Sequence, residues 1–171
     1  MLLLMPPSAG FVAPTIAITA ALLGMLILAA LDVWKQEVED YATVALFVVI
    51  AGSLVIHDVA PAQWVGGLLA GAVAFLVYMN LGLRGVVGGG DVKLAAVPAF
   101  ALGVSSPIAG LWWITCALLL HQLLIVIARR VSGHAEGGAR ASAEAAPIAI
   151  PHVPAMALAL VSSAVIFPPY W

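Results

Sequence analysis

The chain has 171 residues, of which 64% are hydrophobic and only 8% are charged, and its mean hydropathy is +1.17. Soluble domains carry about 25% charged residues, so a water-soluble globule of this composition would expose far more apolar surface than such proteins tolerate. The formal net charge of -2 argues against nucleic acid as a partner. We therefore predict an integral membrane protein embedded in a lipid bilayer.

Six apolar segments follow one another along the chain, at about residues 12–31, 41–56, 63–81, 92–104, 108–128 and 148–167. A helix needs roughly 20 apolar residues to cross a bilayer. We predict an all-α membrane protein, a six-transmembrane-helix bundle that forms a single domain over residues 1–171. Segments two and four are short for a full span, so either they extend into flanking residues or the fourth, which contains Pro98, is broken and shielded by its neighbours. The Ser-, Gly-, Ala- and Glu-rich stretch 131–147 is predicted to be a flexible cytoplasmic loop.

The positions of the basic residues predict how this bundle is oriented. If the six segments alternate in direction, all six Lys and Arg residues fall on one side of the membrane, and cytoplasmic loops hold such an excess. We therefore place the N-terminus and the C-terminus on the outer side, with the loops after segments one, three and five in the cytoplasm. The basic residues are Lys35, Arg84, Lys93, Arg129, Arg130 and Arg140.

Small residues recur in the third segment, at Gly66, Gly67, Ala70, Gly71 and Ala74. Small side chains let two membrane helices approach closely. This spacing predicts a helix–helix contact and carries no chemistry of its own.

Two aspartates stand at the predicted cytoplasmic boundary, Asp32 at the end of segment one and Asp91 just before segment four. A carboxylate at the edge of a bilayer is costly to keep, so it marks a functional site by default. Two carboxylates held close together cannot easily both ionise and therefore share a proton. Such a pair holds one base, which takes a proton from water, and one acid, which supports the oxygen of the attacked carbonyl, as in aspartic proteases. The sequence does not assign the two roles.

A glycine run, Gly88-Gly89-Gly90, leads into Asp91 and is followed by Lys93. Because glycine has no side chain, the backbone here can approach a substrate closely and can take conformations closed to other residues. A flexible turn between two helices is the alternative interpretation. Lys93 comes two residues after Asp91 and so falls on another face of a helix.

The run Gly88 to Lys93 resembles the Gly-x-Gly-Asp-x-Lys motif of prepilin peptidases, which are intramembrane aspartic proteases of bacterial type IV pilus and secretion systems. Asp32 matches the position of the family's other aspartate in its minimal forms. The stretch Ile-Pro-His-Val-Pro-Ala at 150–155 resembles the segment that opens the family's last helix. The short length is similar to the tight-adherence (Flp pilus) branch.

This resemblance implies catalytic roles for Asp32 and Asp91, and a substrate-binding or site-loop role for Gly88, Gly89, Gly90 and Lys93. It implies cleavage of the short basic leader of prepilins or pseudopilins, after a glycine that precedes the apolar pilin helix. It also implies a location in the bacterial inner (plasma) membrane, an active site that faces the cytoplasm, and pilus or secretion assembly proteins as partners. Methylation of the new N-terminus is not expected, because the paired cysteines of the longer relatives are missing and the chain has only Cys116.

Several other polar residues have simpler interpretations. His121 and Gln122 lie in the middle of segment five, where a neutral histidine bonded to a neighbouring helix is expected. His152 lies near the aspartate side and is not expected to be catalytic. No arrangement of histidines suits a metal ion, and we expect no cofactor. The acidic residues Glu37, Glu39 and Asp40 either attract a basic leader or form a solvated loop.

Three other functions compete with the peptidase. In a proton- or ion-coupled transporter, Asp32 and Asp91 would bind the ion, but such sites usually lie near the membrane midplane between repeated halves, and no repeat is visible. In a non-catalytic membrane subunit of a secretion system, the aspartates would pair with Lys35 and Lys93. Presenilin-like proteases share Gly-x-Gly-Asp but have Tyr before the other aspartate, where this chain has Leu31.

Overall fold

The computed structural model describes residues 9–35, 40–135 and 151–168, and these residues form six α-helices and no strand. The helices are α1 (Ala9–Lys35), α2 (Asp40–Ile56), α3 (Pro61–Leu83), α4 (Gly89–Ser105), α5 (Pro107–Ala135) and α6 (Val153–Ile166). Each apolar segment of the sequence corresponds to one helix, so the all-α prediction is confirmed.

Three of the helices are long and apolar enough to cross a membrane, with candidate spans at Pro14–Trp34, Pro61–Leu83 and Pro107–Ala128. Helices α2 and α4 have 17 residues each, and α6 has 14. Helix α5 continues to Ala135, so the first five residues of the loop predicted at 131–147 are helical. The rest of that loop, and residues 148–150 of the sixth predicted segment, lie outside the described residues.

Helix α4 lies at the centre of the bundle and contacts each of the other five helices. Its side chains are buried almost continuously from Val92 to Val104. The helix runs through Pro98 without interruption, because the missing N–H leaves only one carbonyl, that of Leu94, without its helical partner. Helix α4 therefore extends beyond the predicted segment 92–104 into flanking residues, and it is not broken, although its neighbours do shield it.

Helices α3 and α4 cross so closely that their backbones nearly touch. A Cβ atom placed on Gly66 would lie 2.8 Å from the carbonyl oxygen of Gly103, and one placed on Gly103 would lie 2.6 Å from the Cβ of Ala70. Only hydrogen atoms fit in these gaps. The contact predicted from the small residues of segment three is therefore confirmed, and its partner is α4.

We expect Gly103→Ala to destabilise the protein by roughly 1–3 kcal/mol, because the added methyl group forces α3 and α4 apart. Gly52→Ala is the matched control, since a Cβ on Gly52 in α2 would meet nothing within 4 Å. It should leave stability unchanged or raise it by up to about 1 kcal/mol, through better helix propensity. The free energy of unfolding of both variants is measured by SDS titration in mixed micelles. Equal losses of stability in the two variants would contradict the close crossing of α3 and α4.

Candidate active site

Asp32 lies in the last turn of α1, and its side chain is buried although it is a carboxyl group. Its Oδ2 accepts a hydrogen bond from the backbone N–H of Val153 at 3.1 Å, and the backbone N–H of His152 provides a second contact. These two amides open α6. The first amides of a helix have no carbonyl partner within it, and the positive end of the helix dipole favours a negative charge. The start of α6 is therefore a suitable binding site for the Asp32 carboxylate.

Asp91 lies in the first turn of α4, just ahead of the apolar stretch 92–104. Its Oδ2 accepts a hydrogen bond from the backbone N–H of Gly88 at 3.2 Å. Gly88 is the residue that precedes the helix, so this bond closes the N-terminus of α4 and holds the carboxyl group over the end of the helix. The side chain is half-buried, which leaves one side open to a reactant.

The fold brings Asp32 and Asp91 into electrostatic contact, although they lie in different helices and far apart along the chain. Burial and, to a smaller extent, repulsion from Asp32 raise the pKa of Asp91 to about 6, although the Gly88 hydrogen bond opposes the rise. Repulsion of this kind makes it less favourable for both carboxyl groups to be ionised at the same time. Two carboxyl groups that differ in ionisation are what the acid–base chemistry expected from the sequence needs.

The glycine run was expected to take backbone conformations closed to other residues, and Gly88 does not do so. Gly88 has φ −72° and ψ 155°, an extended conformation that any residue can adopt. A Cβ on Gly88 would lie 3.4 Å from the Asp91 carboxylate, and one on Gly89 would meet nothing within 4 Å. Gly88 and Gly89 therefore leave space beside the Asp91 carboxyl group. Among described glycines the left-handed one is Gly85, with φ 70°, which the sequence analysis did not single out.

Lys93 is not brought to the carboxylates. Its ammonium group forms an ion pair with Asp40, at the start of α2, and both side chains are well exposed. Two residues along a helix correspond to a rotation of about 200°, so Lys93 faces away from Asp91. Asp40 is thus already paired, while Glu37 and Glu39 lie outside the described residues.

Tyr78 is a residue near the site that the sequence analysis missed. Its side chain is fully buried, and its hydroxyl lies 3.0 Å from Nε2 of His152. It is also within electrostatic range of Asp91. A usable signal was present, because Gly67, Gly71, Ala74 and Tyr78 follow one another at helical spacing, so the small-residue face of α3 continues to Tyr78.

His152 and His121 are buried beside Tyr78, and their ring centroids are 4.1 Å apart. In the described parts of the chain, no three His, Cys, Asp or Glu side chains are grouped so that they could hold a metal ion.

Three comparisons with known proteins gave one match. No curated protein and no solved structure matches the chain. The type IV leader peptidase family matches residues 19–128, a range that includes Asp32, the glycine run and Asp91. That range covers more than half of the sequence, and hence the chain belongs to the type IV leader peptidase family.

Proposed function

We propose that the protein is an intramembrane aspartic endopeptidase that removes the basic leader from type IV prepilins or pseudopilins. The observation that carries the proposal is the approach of two carboxyl groups, Asp32 and Asp91, at one end of an apolar helix bundle. Membership of a leader peptidase family supports hydrolysis of a peptide bond in a leader as the reaction.

In the proposed reaction, a water molecule lies between the two carboxyl groups. The ionised carboxylate takes a proton from this water, and the oxygen attacks the carbonyl carbon of the scissile bond. The protonated carboxyl group donates its proton to the carbonyl oxygen, so that a neutral tetrahedral intermediate forms. This intermediate collapses as the first carboxyl group gives the water-derived proton to the leaving amide nitrogen and the second takes a proton from a hydroxyl of the intermediate. The products are a new carboxyl end and a new amino end, and both carboxyl groups return to their starting states.

The positions of the aspartates along their helices favour a peptidase over an ion-coupled transporter. Asp32 lies three residues before the end of α1, and Asp91 is the third residue of α4. Transporters place ion-binding carboxylates near the membrane midplane, in the interior of their spans. Here both groups are close to helix termini, where a water molecule and an extended polar leader have access.

The proposal includes a membrane topology. We propose six spans in the bacterial inner (plasma) membrane, with both termini outside and the two aspartates at the cytoplasmic face. The short helix α4 fits this arrangement because the other five helices shield it. A basic leader would then reach the site from the cytoplasm while the apolar part of the prepilin stays in the membrane, and pilus or secretion assembly proteins would receive the product.

We expect Asp32→Asn and Asp91→Asn each to abolish leader removal, because an amide can neither accept a proton from water nor share one with its partner. The protein is co-expressed with tagged prepilins of its source organism, and leader loss is followed on a gel.

The matched control is Asp58→Asn, at the exposed turn between α2 and α3, where φ is 50°. Asn adopts this left-handed conformation readily, so the control should cleave as the wild type does. Full cleavage by either Asp32→Asn or Asp91→Asn would refute the aspartic mechanism.

The topology is tested by single cysteines in a Cys116→Ala background. Val86→Cys lies in the exposed turn between α3 and α4, and Ala60→Cys lies in the exposed turn between α2 and α3. We expect a membrane-impermeant maleimide added to intact spheroplasts to label Ala60→Cys, and to label Val86→Cys only after the membrane is opened. The reverse pattern would place the aspartates at the outer face.

A further inference from the structure

A buried polar cluster connects α3 and α5 to the start of α6, and the proposed hydrolysis does not use it directly. It consists of Tyr78, His121 and His152, whose side chains are at most 5% exposed. Polar groups buried at this depth are costly unless they are paired. Hydrogen bonds inside the cluster therefore help to fix the backbone at the start of α6, where His152 lies.

The central contact of the cluster joins α3 to His152, the residue that precedes α6. The hydroxyl of Tyr78 lies 3.0 Å from Nε2 of His152, and the two rings are in contact at a centroid distance of 5.3 Å. Either tautomer of a neutral imidazole supports this hydrogen bond, with Nε2 as donor or as acceptor.

The same dipeptide, His152-Val153, also holds Asp32. The His152 side chain bonds to Tyr78. The backbone N–H groups of His152 and Val153 bond to the Asp32 carboxylate, with 3.1 Å between the Val153 nitrogen and Oδ2. Pro151 and Pro154 flank the dipeptide and fix their own φ angles, so little freedom remains between them. A shift of the His152 side chain is therefore transmitted to the amides that orient Asp32.

Tyr78 extends this connection to the second carboxyl group. It is fully buried and lies within electrostatic range of Asp91. The contacts thus run from Asp32 through the start of α6 and Tyr78 to the surroundings of Asp91. Four different helices contribute to this connection.

We propose that Tyr78 and His152 are positioning residues of the peptidase site, whose hydrogen bond fixes the start of α6 and thereby holds Asp32 opposite Asp91. This inference rests on the proposed function. Neither residue needs to touch the substrate, and the contribution of both is made through the backbone amides at the start of α6.

The main test is Tyr78→Phe, which removes one oxygen atom and keeps the ring that stacks on Trp113. The substrate is the prepilin that the wild type cleaves in the co-expression assay, used as a peptide that spans the leader and the apolar helix. The purified enzyme in nanodiscs should lose kcat by roughly 10- to 100-fold, since a small misplacement of a catalytic group has that effect. KM should stay within about a factor of three, because ground-state binding of the peptide is not altered.

Two further variants separate a specific hydrogen bond from a general loss of packing. His152→Phe should lower kcat as Tyr78→Phe does, and the double variant should lose no more than either single one, since both remove the same bond. His152→Gln should recover part of the activity, because its amide can still bond to the phenol.

The matched control is Trp113→Phe, which removes a different buried hydrogen bond to α6, from the Trp113 indole to the Met156 carbonyl at 3.0 Å. We expect it to lower the melting temperature and to keep kcat within about twofold of the wild type, because the Asp32 contacts remain. Unchanged kcat in Tyr78→Phe, or an equal loss in Trp113→Phe, would overturn the positioning role. Asp32→Asn and Asp91→Asn in the same assay test the peptidase itself, so the two proposals can fail separately.

Discussion

The central position of α4 is the constraint on which the rest of the structure depends. A short helix that contains a proline is poorly suited to face lipid, and here the other five helices surround it. The close approach of α3 at Gly66 and Gly103 makes this enclosure possible on one side. With α4 fixed on all sides, its first turn has one position, and the carboxyl group of Asp91 is held there by the amide of Gly88.

The site then depends on how the other aspartate is brought to that turn. Asp32 is buried, and a buried carboxylate without donors is unfavourable by several kcal/mol. The start of α6 supplies donors that its own helix cannot use. The hydrogen bonds between Asp32 and the start of α6 therefore pair a buried carboxyl group with backbone N–H groups, each of which would be unfavourable if left unpaired. They also bring α1 and α6 together. Placing two like charges within range of each other lowers stability, which is typical of sites whose chemistry needs them.

Much of this arrangement could be predicted from the sequence, because it depends on patterns within single segments. The six helices follow from the apolar runs, and the α3 contact face follows from the spacing of its small residues. Asp32 and Asp91 were conspicuous because few ionisable groups border the apolar segments. The spacing of two residues correctly placed Lys93 on a different face from Asp91, and its ion pair with Asp40 agrees with that.

The contacts between segments could not be obtained in the same way. Nothing in the neighbourhood of Tyr78 indicates that its hydroxyl meets His152, because the two are brought together by the packing of α3, α4 and α5. The sequence also could not indicate which backbone N–H groups bind Asp32, because every residue except proline carries one. The continuous path of α4 through Pro98 also depends on its neighbours, which decide whether an unpaired carbonyl is tolerated.

The place of the Asp32 donors at the start of the last helix has a consequence for biosynthesis. Helices of a nascent membrane protein emerge in order, and α3 and α4 are joined by a short turn and can pair as soon as both have been inserted. Val153 comes after α1 to α5 in the chain, so a nascent chain from which α6 has not yet emerged lacks the amides that bind Asp32. The surroundings of Asp32 are therefore completed only when α6 has been inserted.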